Sequence, residues 1–326
     1  METSDLVLEG GGVKGAGLAG AVGELSSRYD FHRVAGTSAG AIVAGLVAAG
    51  LEDRLEQLLI DTDFASFLDS GMAGRWLGGL GGGLDVLLHE GLHRGRVLHE
   101  WIARTLSDAG VTTWGDLRLP GASRNDPIEQ RYRLVVVVSD ISRGRMLRLP
   151  WDYPEFVGLD PDRLPVAEAI RASASIPFFF RPVRMAVDPA LAAGHGHVVL
   201  TDGGMLSNYP IAIFDSECDH PTIGVKLSPR PTVDACSFRD TGSPLMLTRA
   251  LVHTMTNAHD QLYIDEPSVR ARTVFVETDG VHTTDFRLSR EKKQMLYDNG
   301  REAARSFLST WSFSEWRRLY PSELAA

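Results

Sequence analysis

Apolar residues near the start of the chain fall into short segments, each followed by a stretch of small residues. Segments 6–8 and 33–35 lack the alternation of a half-exposed strand, which is typical of strands buried on both faces of a sheet. Residues 14–29 carry small residues at helical spacing, and the helix predicted from Ser38 is apolar on every face and should lie centrally. Two strand–helix units within fifty residues predict an α/β fold with a parallel sheet and right-handed crossovers.

The rest of the chain continues this pattern, with one unusual stretch. We predict further strands at 134–138, 197–200, 222–227 and 273–276, and helices at 96–108, 165–174, 244–263 and 289–309. Residues 71–95 hold nine glycines among bulky apolar residues. Because dense glycine disfavours a helix, this stretch is predicted to be an apolar loop that covers a site, or a plain surface insertion. We expect a single domain over 1–326, with a core at about 5–230 and a helical part at about 240–326.

Composition narrows the function classes. A net charge of −9 without a Lys/Arg tract argues against a nucleic-acid partner. Two cysteines, Cys218 and Cys236, leave no disulfide framework and no cysteine-based zinc site. The N-terminus lacks the features of a secretion signal, and the longest apolar stretch, 39–49, is too short to span a bilayer. We therefore expect a cytoplasmic protein, for which peripheral contact with a membrane through a local apolar patch stays open.

A serine motif stands between the second predicted strand and the helix after it. Gly36-Thr37-Ser38-Ala39-Gly40 fits G-x-S-x-G, and its context is the one a nucleophile elbow requires. The flanking glycines Gly36 and Gly40 permit a sharp turn and a close helix. At a helix N-terminus, Ser38 would lie where the helix dipole favours developing negative charge. The alternative at this point is that Ser38 is only an N-cap residue.

A glycine-rich turn follows the first strand. Gly10-Gly11-Gly12-Val13-Lys14-Gly15 also matches the dinucleotide fingerprint G-x-G-x-x-G, so a non-catalytic nucleotide-binding module is one alternative. That fingerprint needs an acidic residue near the end of the second strand, where this chain has Gly36-Thr37-Ser38 instead. Backbone N–H groups of Gly11 and Gly12 facing an oxyanion explain the turn better. Lys14 would then fix the turn or add positive potential, and no cofactor is expected.

A carboxylate completes the candidate chemistry. Asp202 ends a predicted strand and precedes Gly203 and Gly204, a pattern that also suits a plain turn. Because strand ends line one edge of an open sheet, we expect Asp202 to lie near Ser38. Direct proton abstraction requires a short contact and a desolvated carboxylate with a raised pKa. A triad would instead need a histidine such as His253, His259 or His282, none of which has a distinctive context, so we favour a Ser–Asp dyad.

A different chemistry is suggested by a histidine motif. His89-Glu90-Gly91-Leu92-His93 is a literal H-E-x-x-H, and His99 follows six residues later, which resembles a zinc peptidase signature. The signature needs a helix, which Gly91 weakens, and its glycine would fall at Arg96. A zinc metallopeptidase through His89, His93 and His99 therefore stands as an alternative, and we expect no metal.

The three motifs in this order resemble the patatin-like phospholipase family of bacterial type. The segments 172–177 (ASASIP) and 202–210 (DGGMLSNYP) resemble two more blocks of that family, and the likeness spans residues 5 to about 225. Glu9 and Lys14 stand where many members have Asp and Arg.

The resemblance implies a three-layer α/β/α fold with a mainly parallel central sheet. It also implies a metal-free Ser–Asp dyad that cleaves a membrane phospholipid or another lipid ester, with no obligate protein partner. Carried onto this chain, Ser38 is the nucleophile, Asp202 is the base, and Gly11 and Gly12 are the oxyanion donors. The supporting residues are Gly10, Lys14, Gly15, Gly36, Gly40, Gly203 and Gly204.

Overall fold

A mixed β-sheet forms the centre of the protein, as seen in a computed structural model that describes residues 1–69, 91–215, 220–228 and 265–321. Eight strands make up this sheet, and two short strands pair separately. In chain order the strands are β1 (Glu2–Leu8), β2 (Tyr29–Thr37), β3 (Gly91–His93), β4 (Leu134–Asp140), β5 (Arg145–Leu149), β6 (Phe178–Phe180), β7 (Val183–Ala186), β8 (His197–Asp202), β9 (Thr222–Lys226) and β10 (Thr273–Phe275).

The sheet is mainly parallel, which confirms the predicted fold class. Its strand order is β10-β9-β1-β2-β4-β8-β7, with β5 also paired to β4, while β3 pairs with β6. The first five strands of that order are parallel to one another. Strand β8 runs antiparallel to β4. The reason given for expecting Asp202 at this edge, that its strand ends together with the parallel strands, is therefore wrong.

Register explains how Asp202 nevertheless reaches the edge where β2 ends. Thr37 pairs with Val137 of β4, and Asp202 pairs with the next residue, Val138. Strand β4 continues to Asp140, beyond the last residue of β2. The end of β8 therefore lies beside the end of β2 although the two strands run in opposite directions.

Among the described residues, most helices pack on one face of the sheet, and loops with a short helix pack on the other. The helices are α1 (Gly15–Leu25), α2 (Ala39–Ala48), α3 (Leu55–Asp61), α4 (Arg96–Asp108), α5 (Val166–Ser173), α6 (Pro267–Ala271), α7 (Arg290–Thr310) and α8 (Phe313–Leu319). Leu6 and Leu8 of β1 belong to the large core under the helices, whereas Val7 belongs to a smaller core with Tyr209 and Phe214. Burial on both faces accounts for continuous apolar strands.

Most of the predicted elements that fall on described residues are present, within a few residues at their ends. The structure adds the short strands β3, β5, β6 and β7, whose sequences carry no strong periodicity. The predicted helix at 244–263 lies outside the described residues, as do residues 71–90 of the glycine-rich stretch. Within the described ranges, no helix has the length and apolar character that crossing a membrane requires.

The helix near the C-terminus packs directly on the first helix of the chain. A Cβ atom at Gly20 of α1 would overlap the carbonyl oxygen of Tyr297 in α7, and one at Gly300 of α7 would overlap the carbonyl oxygen of Gly17. Glycine at these positions therefore lets two helix backbones meet without side chains between them.

We predict that Gly20→Ala destabilises the fold by about 2 kcal/mol, because the added methyl group forces the two backbones apart. The matched control is Gly23→Ala in the same helix, where the new Cβ would lie 3.3 Å from the Tyr297 hydroxyl, a tight but adjustable contact. Since Ala favours a helix over Gly by about 1 kcal/mol, Gly23→Ala should be neutral or stabilising. Urea unfolding of both variants tests this, and equal stabilities would contradict the close packing.

Candidate active site

Ser38 stands at a sharp turn between β2 and α2. Its backbone has φ 54° and ψ −121°, a conformation that residues with a side chain rarely adopt. A Cβ atom at Gly36 would overlap the carbonyl oxygen of Gly40, and one at Gly40 would overlap that of Leu8. The two glycines therefore allow the turn that a nucleophile elbow requires.

The backbone of the elbow is held from outside by Ser173 at the end of α5. The Ser38 N–H donates to the Ser173 hydroxyl oxygen over 2.9 Å, and this hydroxyl donates to the Val137 carbonyl oxygen over 2.6 Å. Ser173 is fully buried. A single hydroxyl thus ties the turn to α5 and to β4, and this tie opposes relaxation of the strained backbone.

The side chain of Ser38 faces a carboxylate. Its hydroxyl donates to Asp202 Oδ2 over 2.7 Å, and no side-chain hydrogen bond caps α2. Ser38 thus occupies the N-cap position of α2, but its side chain bonds to Asp202 and does not cap the helix. Because Ser38 is buried and lies at the N-terminus of α2, negative charge that develops on its oxygen would meet a favourable helix dipole.

Asp202 is held through its carboxylate and through its backbone. Its Oδ1 accepts the Gly204 N–H at 2.8 Å, and its own N–H donates to the Ser175 carbonyl oxygen at 3.0 Å. A Cβ atom at Gly203 would overlap the Val137 carbonyl oxygen, so the chain passes close to β4 at this point. Burial raises the pKa of Asp202 to about 6, although the hydrogen bonds from Ser38 and Gly204 oppose that rise.

The glycine-rich turn lies against the elbow. A Cβ atom at Gly10 would lie 3.1 Å from the Ser38 Cβ. The N–H groups of Gly10 and Val13 donate to the carbonyl oxygens of Asn208 and Thr283. Within the ranges that the structure describes, the N–H groups of Gly11 and Gly12 donate to no backbone oxygen. Two donors at this turn are therefore available to a ligand.

The glycines of this turn pack closely against other parts of the chain. A Cβ atom at Gly10, Gly11 or Gly12 would overlap, in that order, an atom of the Asn208 amide, of Leu227 or of Thr283. Packing within the chain therefore accounts for these glycines without a nucleotide.

Glu9 and Lys14 stand where many members of the family that the motifs resemble have Asp and Arg. Both residues hold the turn in place. Glu9 pairs with Lys226 and accepts the Leu227 N–H at 2.5 Å. Lys14 Nζ donates to the Thr278 hydroxyl at 3.0 Å, and burial lowers the pKa of Lys14. Of the two roles considered for Lys14, fixing the turn is the one that its contact supports.

An apolar cavity that opens to solvent adjoins Ser38. The predicted oxyanion donor Gly12 and the supporting glycine Gly15 lie in its wall. Among the described residues, its lining is apolar except for Ser38 and consists otherwise of Gly12, Val13, Gly15, Ala39, Ile42, Leu59, Phe64, Phe67, Leu98, Trp101, Ala174, Ile176, Phe180 and Phe286. Such a lining suits a hydrocarbon chain.

The histidine motif does not form the geometry that a zinc peptidase needs. Residues Gly91–His93 are a β-strand, so the helix that would place two histidines on one face is interrupted there. The His93 ring packs on Phe179 at 4.8 Å between centroids, and burial lowers its pKa. His99 lies in α4, while His89 and Glu90 lie outside the described residues.

A histidine relay gains no support from the described residues either. His282 is exposed, and His253 and His259 lie outside the described residues. Three residues at the site were not predicted. Ser173 lies within the segment 172–177, which resembles a block of the family, but the sequence gives it no role at the site. Thr283 and Phe286 lie in a loop that carries no motif.

Comparison with known proteins gives the same family that the motifs suggested. The chain matches the family model described as "Patatin-like phospholipase" over residues 6–215. It is 36% identical over 317 residues to the uncharacterized protein YqhO of Bacillus subtilis (strain 168), covering 95% of this chain and 99% of that one. It is 23% identical over 229 residues to the uncharacterized protein R571 of Acanthamoeba polyphaga mimivirus, covering 69% and 65%.

Among solved structures, VipD from Legionella pneumophila is similar to this chain. The TM-score is 0.53 at 17% sequence identity, and the match covers 95% of this chain and 67% of VipD. At this identity the likeness concerns the fold, and it agrees with the mixed, mainly parallel sheet described above.

We predict that Asp202→Asn stabilises the protein relative to wild type as pH rises. The folded-state pKa of about 6 exceeds the unfolded value near 4, so the protonated carboxyl favours folding below about pH 4, and this contribution is lost as pH rises through about 6. The two-unit difference corresponds to about 3 kcal/mol. Urea unfolding at pH 4 and pH 8 measures it, and a difference between variant and wild type that ignores pH would contradict the buried carboxylate.

Proposed function

Because the chain belongs to the patatin-like phospholipase family, we propose that it is a lipid acyl hydrolase, a serine esterase of the phospholipase A type. The observation that carries the proposal is the 2.7 Å hydrogen bond from Ser38, at a strained elbow, to the buried carboxylate of Asp202. The substrate is a membrane phospholipid or another lipid ester. We place the enzyme in the cytoplasm, in peripheral contact with the membrane surface.

In the first half of the proposed reaction, Ser38 Oγ attacks the ester carbonyl carbon while Asp202 accepts the hydroxyl proton. The carbonyl oxygen becomes an oxyanion, which the N–H groups of Gly11 and Gly12 stabilise together with the N-terminus of α2. Collapse of the tetrahedral intermediate breaks the bond to the alcohol. Asp202 returns its proton to the leaving alcohol, and the acyl group stays on Ser38.

In the second half, water takes the place of the alcohol. Asp202 accepts a proton from the water as its oxygen attacks the acyl carbon, and the same two N–H groups again stabilise the oxyanion. Collapse releases the fatty acid, and the proton on Asp202 returns to Ser38 Oγ. No histidine is needed, because the carboxylate contacts the hydroxyl directly and its raised pKa makes it a stronger base than an exposed aspartate.

The cavity supports a lipid rather than a small polar ester as substrate. Its apolar lining begins at Ser38 and includes the aromatic rings of Phe64, Phe67 and Trp101. Moving a methylene group from water to such a site contributes about 0.8 kcal/mol. Burial of an acyl chain of several carbons would therefore contribute several times that free energy to substrate binding.

We expect a fluorophosphonate probe to form one covalent adduct, on Ser38, with or without a chelator. Ser38→Ala should abolish the adduct and lower esterase activity on p-nitrophenyl esters at least 1,000-fold, since the nucleophile is gone. Asp202→Asn should lower activity to a similar extent, and the exposed Ser27→Ala is the matched control that should change nothing. Peptide mapping by mass spectrometry locates the adduct.

Three results of that experiment would contradict the proposal. They are wild-type rates in the Asp202 variant, an adduct on another residue, and proteolysis that the chelator stops. The last result would support a zinc peptidase at the histidine motif.

The pH profile of kcat/KM tests the assignment of the base. Only ionised Asp202 can accept the proton, so the rate should rise with pH through an apparent pKa of about 6 and then level off. His282→Ala should leave the profile unchanged. A profile that changes in the His282 variant would show a histidine relay instead.

A further inference from the structure

A loop outside the family-matched region reaches the candidate site. The family model ends at residue 215, whereas the segment between β10 and α7 contacts the glycine-rich turn. The Thr283 carbonyl oxygen accepts the Val13 N–H at 3.1 Å. Gly12, with φ +56°, packs so closely on Thr283 that a Cβ atom would not fit. The loop thus fixes the turn whose Gly11 and Gly12 N–H groups are available.

A second contact ties the start of the same loop to the turn. The Thr278 hydroxyl accepts a hydrogen bond from the Lys14 ammonium at 3.0 Å and donates one to the Leu227 carbonyl oxygen at 3.3 Å. Leu227 is also the residue that packs on Gly11. Two separate points of the loop therefore hold the turn from the side of β9 and β10.

Phe286 extends the loop from the turn into the apolar cavity. It is buried and lines the cavity together with Ser38 and Gly12. Its ring stacks on Phe179 at 4.9 Å with an interplanar angle of 16°, and meets Phe180 edge-on at 5.6 Å. Stacking on one ring and an edge contact to another leave the Phe286 ring little freedom to move.

The lining of the cavity contains a second group of rings. Phe67 contacts both Phe64 and Trp101, at 6.0 Å and 5.7 Å between ring centroids. Phe286 stands three residues from Thr283, which contacts Gly12 and Val13 of the turn, and Gly12 lines the same cavity. The second group is carried by α4 and the segment 64–67, neither of which bonds to Ser38 or Asp202 among the described residues.

We propose that Phe286 is a specificity-determining residue, which narrows the cavity beside Ser38 so that straight acyl chains fit and chains branched near the carbonyl do not. This inference rests on the proposed function. The first carbons of an acyl chain attached to Ser38 must enter the cavity whose lining Phe286 shares with Ser38 and Gly12. Branches at these carbons require the space that the ring occupies.

The test compares p-nitrophenyl octanoate with its 2-methyl analogue as substrates for wild type and two variants. Phe286→Leu keeps most of the side-chain volume, and Phe286→Ala opens the cavity further. The ratio of kcat/KM for branched over straight ester should rise about tenfold in Phe286→Ala, and by less in Phe286→Leu, because the space of about one methyl group decides the ratio. Phe313→Ala, which removes a ring outside the cavity, is the control and should leave the ratio unchanged.

Trp101→Ala separates the effect of the width of the cavity near Ser38 from the effect of its length. It removes a ring of the second group from the cavity lining, so we expect it to improve rates for longer straight chains without raising the branched-to-straight ratio. If the ratio stays at the wild-type value in both folded Phe286 variants, or rises equally in Trp101→Ala, the assignment of Phe286 is overturned.

A binding measurement distinguishes failure of this inference from failure of the proposed function. Ser38→Ala, alone or combined with Phe286→Leu, is titrated with octanoic acid and with 2-methyloctanoic acid by calorimetry. Stronger binding of the straight acid that is lost in the double variant supports the role of Phe286 even if wild type hydrolyses no ester. Equal binding of both acids to Ser38→Ala contradicts that role even if wild type is an active esterase.

Discussion

The arrangement of this site depends on one hydrogen bond, from the Ser38 hydroxyl to the buried Asp202 carboxylate. A carboxylate withdrawn from water binds a proton more tightly, which is why burial raises the pKa of Asp202 to about 6. The bond forms because β8 runs against β4 and ends one residue beyond the level at which β2 ends. A difference of one residue in that register would turn the Asp202 side chain to the other face of the sheet.

The end of α5 supports both partners of this bond. The Ser173 hydroxyl holds the Ser38 N–H, and the Ser175 carbonyl holds the Asp202 N–H. The buried Arg171 guanidinium donates to the Ser175 hydroxyl and to the carbonyl oxygen of Gly95, so α4 is tied to the same point. Placing both reacting side chains on one rigid support maintains the strained elbow and the short contact together.

The sequence could predict those parts of the site that arise from local chemistry. Gly36 and Gly40 flank Ser38 because a sharp turn between strand and helix needs them, and that requirement is visible within five residues. The direction of β8 was not predictable in this way, since it depends on pairing with a strand sixty residues earlier. Thr283 and Phe286 reach the site only because α7 packs on α1 and returns their loop to the turn, a long-range contact that no motif records.

The most direct test of the account is to trap the acyl-enzyme. The enzyme is mixed with a long-chain p-nitrophenyl ester, quenched in acid at a series of times during turnover, and digested for peptide mapping by mass spectrometry. The account predicts one acyl group per chain on the peptide that contains Ser38, formed before free fatty acid accumulates. Release of fatty acid while Ser38 stays unmodified at every time, or an acyl group on another residue, would contradict it.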